Sequence, residues 1–264
     1  MQMQITHREK KKVKFRISFI FLFIIASFLA CFTLYMKEDF VVTEDMLEEE
    51  QETVVYLETV GQGTTRVNPV PVSQKMDKNF YDDAVFIGSK SLAGLADYGY
   101  VDAENMLLSD SIKLSNINTV IISENNVQNT IADTVISKKA KKVYIMIGLY
   151  ELNNIDSTDL FSGLEAFIDS VNSSDPDVEI YLMSVLPVPA EIEATVASNV
   201  DIDAYNSMLL KFADKVQVNY LEINSSLKGN DGKLPSSAAE INGIRLTKEV
   251  YGIVSDYILS HVVE

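Results

Sequence analysis

A chain of 264 residues can bury one sizeable α/β core and still carry an N-terminal appendage. Its 22 basic and 38 acidic residues leave a net charge of −16, which argues against nucleic-acid binding, since that needs basic patches to neutralise phosphates. The single cysteine, Cys31, excludes an intramolecular disulfide, so the fold does not rely on one.

Residues 1–16 form a basic tail with Arg8, Lys10, Lys11, Lys12, Lys14 and Arg16. Residues 17–36 follow as an almost unbroken apolar run, and twenty helical residues span ~30 Å, the thickness of a bilayer core. Positive residues stay on the cytoplasmic side, so this run is expected to be a single transmembrane helix with the N-terminus inside and the remainder exported. A cleaved signal peptide is the rival, because Phe28-Leu29-Ala30-Cys31 faintly echoes a lipoprotein box. The apolar run continues for five residues past Cys31, which favours the uncleaved anchor. From Lys37 onward the chain holds 16 basic and 37 acidic residues, a net −21 that suits solubility outside the cell and repels an anionic membrane surface.

Residues 37–78 are expected to be an acidic stalk or linker, with the like-charge run Glu48-Glu49-Glu50-Gln51-Glu52 and the breakers Gly61, Gly63, Pro69 and Pro71. The globular part is expected over residues 79–264. Apolar runs predict strands at Ala84–Ile87, Asn105–Leu108, Val143–Ile147, Val178–Ser184 and Val216–Ile223. Helical spacing predicts helices at Leu92–Asp97, Thr158–Asn172, Asp201–Asp214 and Thr247–Val262. The segment 119–137 is unresolved by pattern, with Thr119-Val120-Ile121-Ile122 as an extra strand or hairpin arm. Strands alternating with helices imply a three-layer α/β/α domain with a mainly parallel sheet.

The stretch Val85-Phe86-Ile87-Gly88-Ser89-Lys90-Ser91 is a buried strand feeding a tight turn, and ligands gather at the carboxyl ends of such strands. It resembles the first block of the SGNH/GDSL hydrolases, where the strand ends Gly-Asp-Ser and the serine is the nucleophile. Lys142-Val143-Tyr144-Ile145-Met146-Ile147-Gly148-Leu149-Tyr150 is similar to the block ending Gly-x-Asn, whose asparagine donates to the oxyanion. Ile180 to Val188 is similar to the strand and proline turn of bacterial members, and Ile202, Tyr205 and Asn206 to the helix after it. Asn242-Gly243-Ile244-Arg245-Leu246 resembles the closing Asp-Gly-x-His-Leu. The resemblance implies a flavodoxin-like sheet and an esterase ancestry. It also places Ser89 at the aspartate position, Lys90 at the nucleophile, Tyr150 at the oxyanion asparagine, Asn242 at the triad aspartate and Arg245 at the histidine.

Those five residues are the candidates for a degenerate or ligand-binding site, and no catalytic residue is assigned. A serine attacks an ester only when a neighbouring base takes its proton, and an arginine stays protonated at any accessible pH. The chain has two histidines, His7 in the cytoplasmic tail and His261 at the end of the last helix. A lysine base at Lys90 beside Ser89 or Ser91 is the remaining hydrolytic route. No Cys/His cluster or phosphate loop is present, so neither metal nor cofactor is expected. The reading is a catalytically inactive SGNH/GDSL-like domain, exported and membrane-anchored, that binds or scaffolds at the cell envelope. Its expected partners are the membrane, through residues 17–36, and a cell-wall glycan, in particular an anionic one, or an envelope protein. The bland alternative is that Lys90 pairs with Glu151 or another acid and that Tyr150 fills the vacated space. The functional alternative is a working esterase or acetyl-hydrolase on envelope carbohydrate.

Overall fold

The computed structural model describes residues 66–124, 127–149, 151–152, 159–240 and 243–263. The expected transmembrane helix at 17–36, the stalk to residue 65, Tyr150 and Asn242 lie outside the described residues. Among the described residues no helix is long and apolar enough to cross a membrane.

Five parallel strands form the sheet: β1 (Ala84–Gly88), β2 (Met106–Leu108), β5 (Lys142–Met146), β6 (Glu179–Met183) and β7 (Asn219–Leu221), in the order β2-β1-β5-β6-β7. The register sets Val85 against Val143, Ile145 against Leu182 and Met183 against Leu221. Helices cover both faces: α1 (Gly94–Asp97), α2 (Ile131–Lys138), α3 (Ser162–Ser174), α4 (Asn199–Val216), α5 (Asn224–Leu227) and α6 (Lys248–Leu259).

Alternation along each strand divides the core in two. Val85, Ile87, Val143, Ile145, Ile180 and Leu182 pack with residues of α2, α3 and α4. Phe86, Tyr144, Met146, Tyr181 and Met183 face the other way, toward α1 and α6. On that second face Phe86, Tyr144 and Tyr181 stack across three neighbouring strands, with centroids 4.7 and 4.8 Å apart. Both faces of the sheet are therefore buried, which is why its strands read as continuous apolar runs.

The structure settles one segment that the sequence left open and differs from the sequence expectation at two others. Residues 121–138 form an antiparallel hairpin, β3 (Ile121–Glu124) with β4 (Val127–Thr130), leading directly into α2. Thr130 caps α2, its hydroxyl accepting from Asp133 N at 3.1 Å and donating to the Asp133 carboxylate at 2.7 Å. The last strand is shorter than Val216–Ile223, because α4 continues through Val216 and ends on Gln217 in the left-handed region. The segment expected as the helix Leu92–Asp97 begins as a 3-10 turn, Lys90–Ala93, before α1.

Residues 66–76, which composition groups with the stalk, run as a strap along the domain. Arg66 reaches Glu179 at 2.6 Å and Asn219 at 2.9 Å. Asn68 donates to Val218 O and accepts from Tyr220 N, and Val70 N donates to Tyr220 O. Further on, Ser73 N and Met76 N donate to Ser260 O and Leu259 O at the end of α6. The strap pairs with the backbone beside β7 and so protects that edge of the sheet.

Candidate functional site

The parallel strands deliver their carboxyl ends to one pole, and a cleft of about 590 Å³, open mouth included, lies there. Ser89 and Ser91 follow β1, Met146 ends β5 and Ile147 to Leu149 and Glu151 follow it, and Val185 to Pro187 follow β6. Ile112, Ile244 and Leu246 complete an otherwise apolar lining.

Of the sequence-predicted site residues, the cleft contains Ser89, joined by Ser91. Their hydroxyl oxygens are 2.6 Å apart and share one hydrogen bond. Lys90 points elsewhere: its side chain is exposed, its backbone N–H donates to the Asp110 carboxylate at 3.0 Å, and its ammonium has no ion-pair partner among the described residues. The Lys90–Glu151 pair is not formed. Instead the Glu151 carboxylate accepts from Leu114 N at 3.1 Å, joining the Gly148 turn to the loop that carries Ile112.

Arg245 sits between two cleft-lining residues, Ile244 and Leu246, but its guanidinium is engaged outside the lining. It donates to Asp97 at 2.8 Å and to Glu240 at 3.1 Å, and lies 5.5 Å from the centre of the Tyr98 ring. Tyr98 in turn donates to Glu240 at 2.9 Å. Hydrogen bonding to Asp97, then Tyr98, holds the guanidinium still more firmly protonated than usual. No proton acceptor is gained from this arginine. His261 is stacked on Tyr257 at 3.7 Å, with Nδ1 2.7 Å from Tyr257 O, at the α6 end that binds the strap. Among the described residues no histidine lines the cleft.

Two walls are fixed by buried contacts. At the end of β5, Gly148 has φ +131°, and a Cβ there would lie 2.3 Å from the Tyr205 ring. The Tyr205 hydroxyl donates to Ile147 O at 2.8 Å, and burial pushes its pKa well up, so it stays a neutral donor. The 184–188 loop is held by asparagines. Asn206 accepts from Val185 N at 2.8 Å and donates to Val185 O at 2.9 Å, while Asn224 donates to the same carbonyl at 2.8 Å. Asn199 makes the equivalent pair with Val188 N and O. Glu193 accepts from Asn199 N, and its other oxygen pairs with Lys233. Sequence reading singled out Asn206 from this group. Asn199 and Asn224 were hidden because a buried asparagine has no periodic signature, although each mimics a backbone partner for an irregular loop.

The arrangement can bind. It offers two hydroxyls, one carboxylate and apolar walls on a fixed frame. It lacks, among the described residues, a neutral base within reach of a serine.

No protein-family model matches the sequence, and no curated protein matches it. Solved structures do match by shape. A proposed platelet activating factor from Streptococcus pneumonia is 19% identical, with 81% of this chain and 94% of that chain covered and a TM-score of 0.50. An acetyl xylan esterase is 17% identical over 68% of this chain and 99% of its own, also at 0.50. A proposed lipolytic protein of the G-D-S-L family from Desulfitobacterium hafniense is 14% identical over 68% and 98%, again at 0.50. With its five-stranded, parallel sheet flanked by helices, the described domain has the SGNH/GDSL hydrolase α/β fold.

Proposed function

We propose that this domain is a non-hydrolytic binding module of the cell envelope, held at the outer face of the membrane by residues 17–36. One observation carries the reading. Arg245, at the position where the resemblance expects the general base, is an ion-paired guanidinium committed to Asp97 and Glu240. Losing a positioned base removes typically ~10²–10⁴-fold of rate, before any loss at the nucleophile is counted. Lys90 at the nucleophile position supports the same reading, because its side chain stands exposed beside the cleft.

The frame that remains favours a ligand over an empty relic. Ser184, Asn199, Asn206 and Asn224 are all buried; Asn206 and Asn224 bond directly to the cleft-lining Val185, and Asn199 holds Val188 just beyond Pro187. Holding a loop so firmly is what a preorganised binding surface needs. The ligand is a glycan: its hydroxyls meet Ser89, Ser91 and Glu151, and its apolar face meets Ile112, Val185 and Leu246.

The test is hydrolysis of a generic acetyl ester by the purified chain, with Ser89→Ala and Ser91→Ala alongside. The expected result is no serine-dependent turnover. The 2.6 Å contact between the two serine hydroxyls, beside Glu151, is what favours the rival reading of an esterase with a non-standard site. Turnover lost in either variant would establish that rival.

A further inference from the structure

Charge around the cleft is distributed in one sense. Among the described residues that line it, Glu151 alone is charged, Ser89 and Ser91 supply hydroxyls, and the other side chains are apolar. Three basic residues adjoin a lining residue in sequence: Lys90 between Ser89 and Ser91, Lys113 after Ile112, and Arg245 between Ile244 and Leu246. None of the three joins the lining. Lys90 and Lys113 are exposed, and Arg245 is engaged with Asp97 and Glu240. The remaining walls come from a stretch that holds no basic side chain to offer. Residues 143–210 contain twelve acidic residues and no lysine, arginine or histidine. That stretch carries both the turn after β5, with Glu151, and the loop after β6, with Val185. A second carboxylate, Asp110, accepts from Lys90 N at 3.0 Å, at the turn that bears the two serines.

From this distribution we infer that the cleft takes a glycan bearing a protonated primary amine, an amino sugar, in preference to a neutral or anionic one. The inference deepens the binding reading above and rests on it. A charged group entering an apolar-walled cleft loses water and is tolerated only against an opposite charge. An ammonium meets that charge at Glu151, and its remaining donors meet the Ser89 and Ser91 oxygens. Glu151 is anchored for the purpose, because its carboxylate accepts from Leu114 N at 3.1 Å and so holds the negative charge on the frame. A carboxylate or phosphate would meet Glu151 as a like charge. It would also find few donors: the two serines share one hydrogen bond between themselves, which leaves a single hydroxyl proton to give.

The test is calorimetric titration of the purified full chain in ~0.15 M salt, at about pH 6, where the sugar amine is protonated. The probes are a glucosamine tetramer, its N-acetylated form, a galacturonate tetramer and cadaverine. The glucosamine tetramer is expected to bind about tenfold more tightly than the others, or better. Glu151→Gln removes the charge but keeps an acceptor for Leu114 N, and should abolish that preference, with thermal unfolding showing the fold intact. Asp177→Asn, at an exposed acid in the turn before β6, should leave the preference unchanged. Tighter binding of the N-acetylated or galacturonate tetramer overturns the inference and leaves the glycan reading standing. Cadaverine binding as tightly as the glucosamine tetramer overturns the glycan reading and leaves the charge preference. An equal loss in Asp177→Asn makes the preference a general attraction to an acidic surface and overturns the inference. Binding of none of the probes overturns the inference and the glycan reading together.

Discussion

Asn206→Ala should be among the most damaging single substitutions that leave the sheet untouched. Its amide makes two bonds to one residue, accepting from Val185 N and donating to Val185 O. Truncation orphans a buried N–H outright, at about 1–3 kcal/mol, whereas the carbonyl keeps its second donor, the Asn224 amide. Asn224→Ala removes the same atoms from an equally buried site, but the carbonyl keeps Asn206 and no donor is orphaned. The contribution of the truncation itself cancels in the comparison. The expected costs are about 3 kcal/mol for Asn206→Ala and about 1 kcal/mol for Asn224→Ala, counting one modest bond in the second case. At ~2–4 °C per kcal/mol for a domain of this size, thermal unfolding of residues 66–264 should separate the two variants clearly. Equal losses, or a larger loss in Asn224→Ala, would refute the claim that the orphaned Val185 N–H decides the cost.

Two further outcomes follow from buried or paired groups. Tyr144 stacks between Phe86 and Tyr181, and its buried hydroxyl has no hydrogen-bond partner among the described residues, so Tyr144→Phe should raise stability by about 1 kcal/mol in denaturant unfolding; a loss of stability would mean that the hydroxyl is satisfied. Glu193 is held down to about 2 from its usual 4.5 by Lys233 and then by the Asn199 donors. A depressed carboxyl contributes stability that is complete above its unfolded value and lost as pH falls through the folded one, so melting temperature should decline between about pH 5 and pH 2. Glu193→Gln should flatten that acid limb, and an unchanged slope would assign the decline to other groups.

The central strands were legible because both their faces are buried, so Ala84–Gly88, Lys142–Met146 and Glu179–Met183 appear as short apolar runs closed by Gly or Ser. The hairpin and α2 were less so: Ile121 is exposed and, among the described residues, β3 pairs with β4 alone, leaving a weak alternation. The Thr130-x-x-Asp133 cap was nevertheless present in the letters, and it marks the start of α2. At the site, sequence located Ser89 at the cleft but could not foresee the fate of Arg245. Its partner Asp97 lies 148 residues away, and only the tertiary fold brings a surface acid to that guanidinium. The strap was hidden for a similar reason, since Asn68 and Val70 acquire their role from a strand that begins at Asn219.

The strap also sets how the domain would bear load. Tension arriving from upstream would first meet the bonds of Arg66 to Glu179 and Asn219, at the starting ends of β6 and β7, and then those of Asn68. These are side-chain contacts at the periphery, where the Arg66 and Glu179 side chains are 28% and 36% exposed, so they can part and re-form at little cost. From Asn68 and Val70 the load would pass to Tyr220 in β7, through one side-chain and one backbone bond. Residues 66–76 would thus share a pull between β6, β7 and the end of α6, at the ends of the strands remote from the cleft.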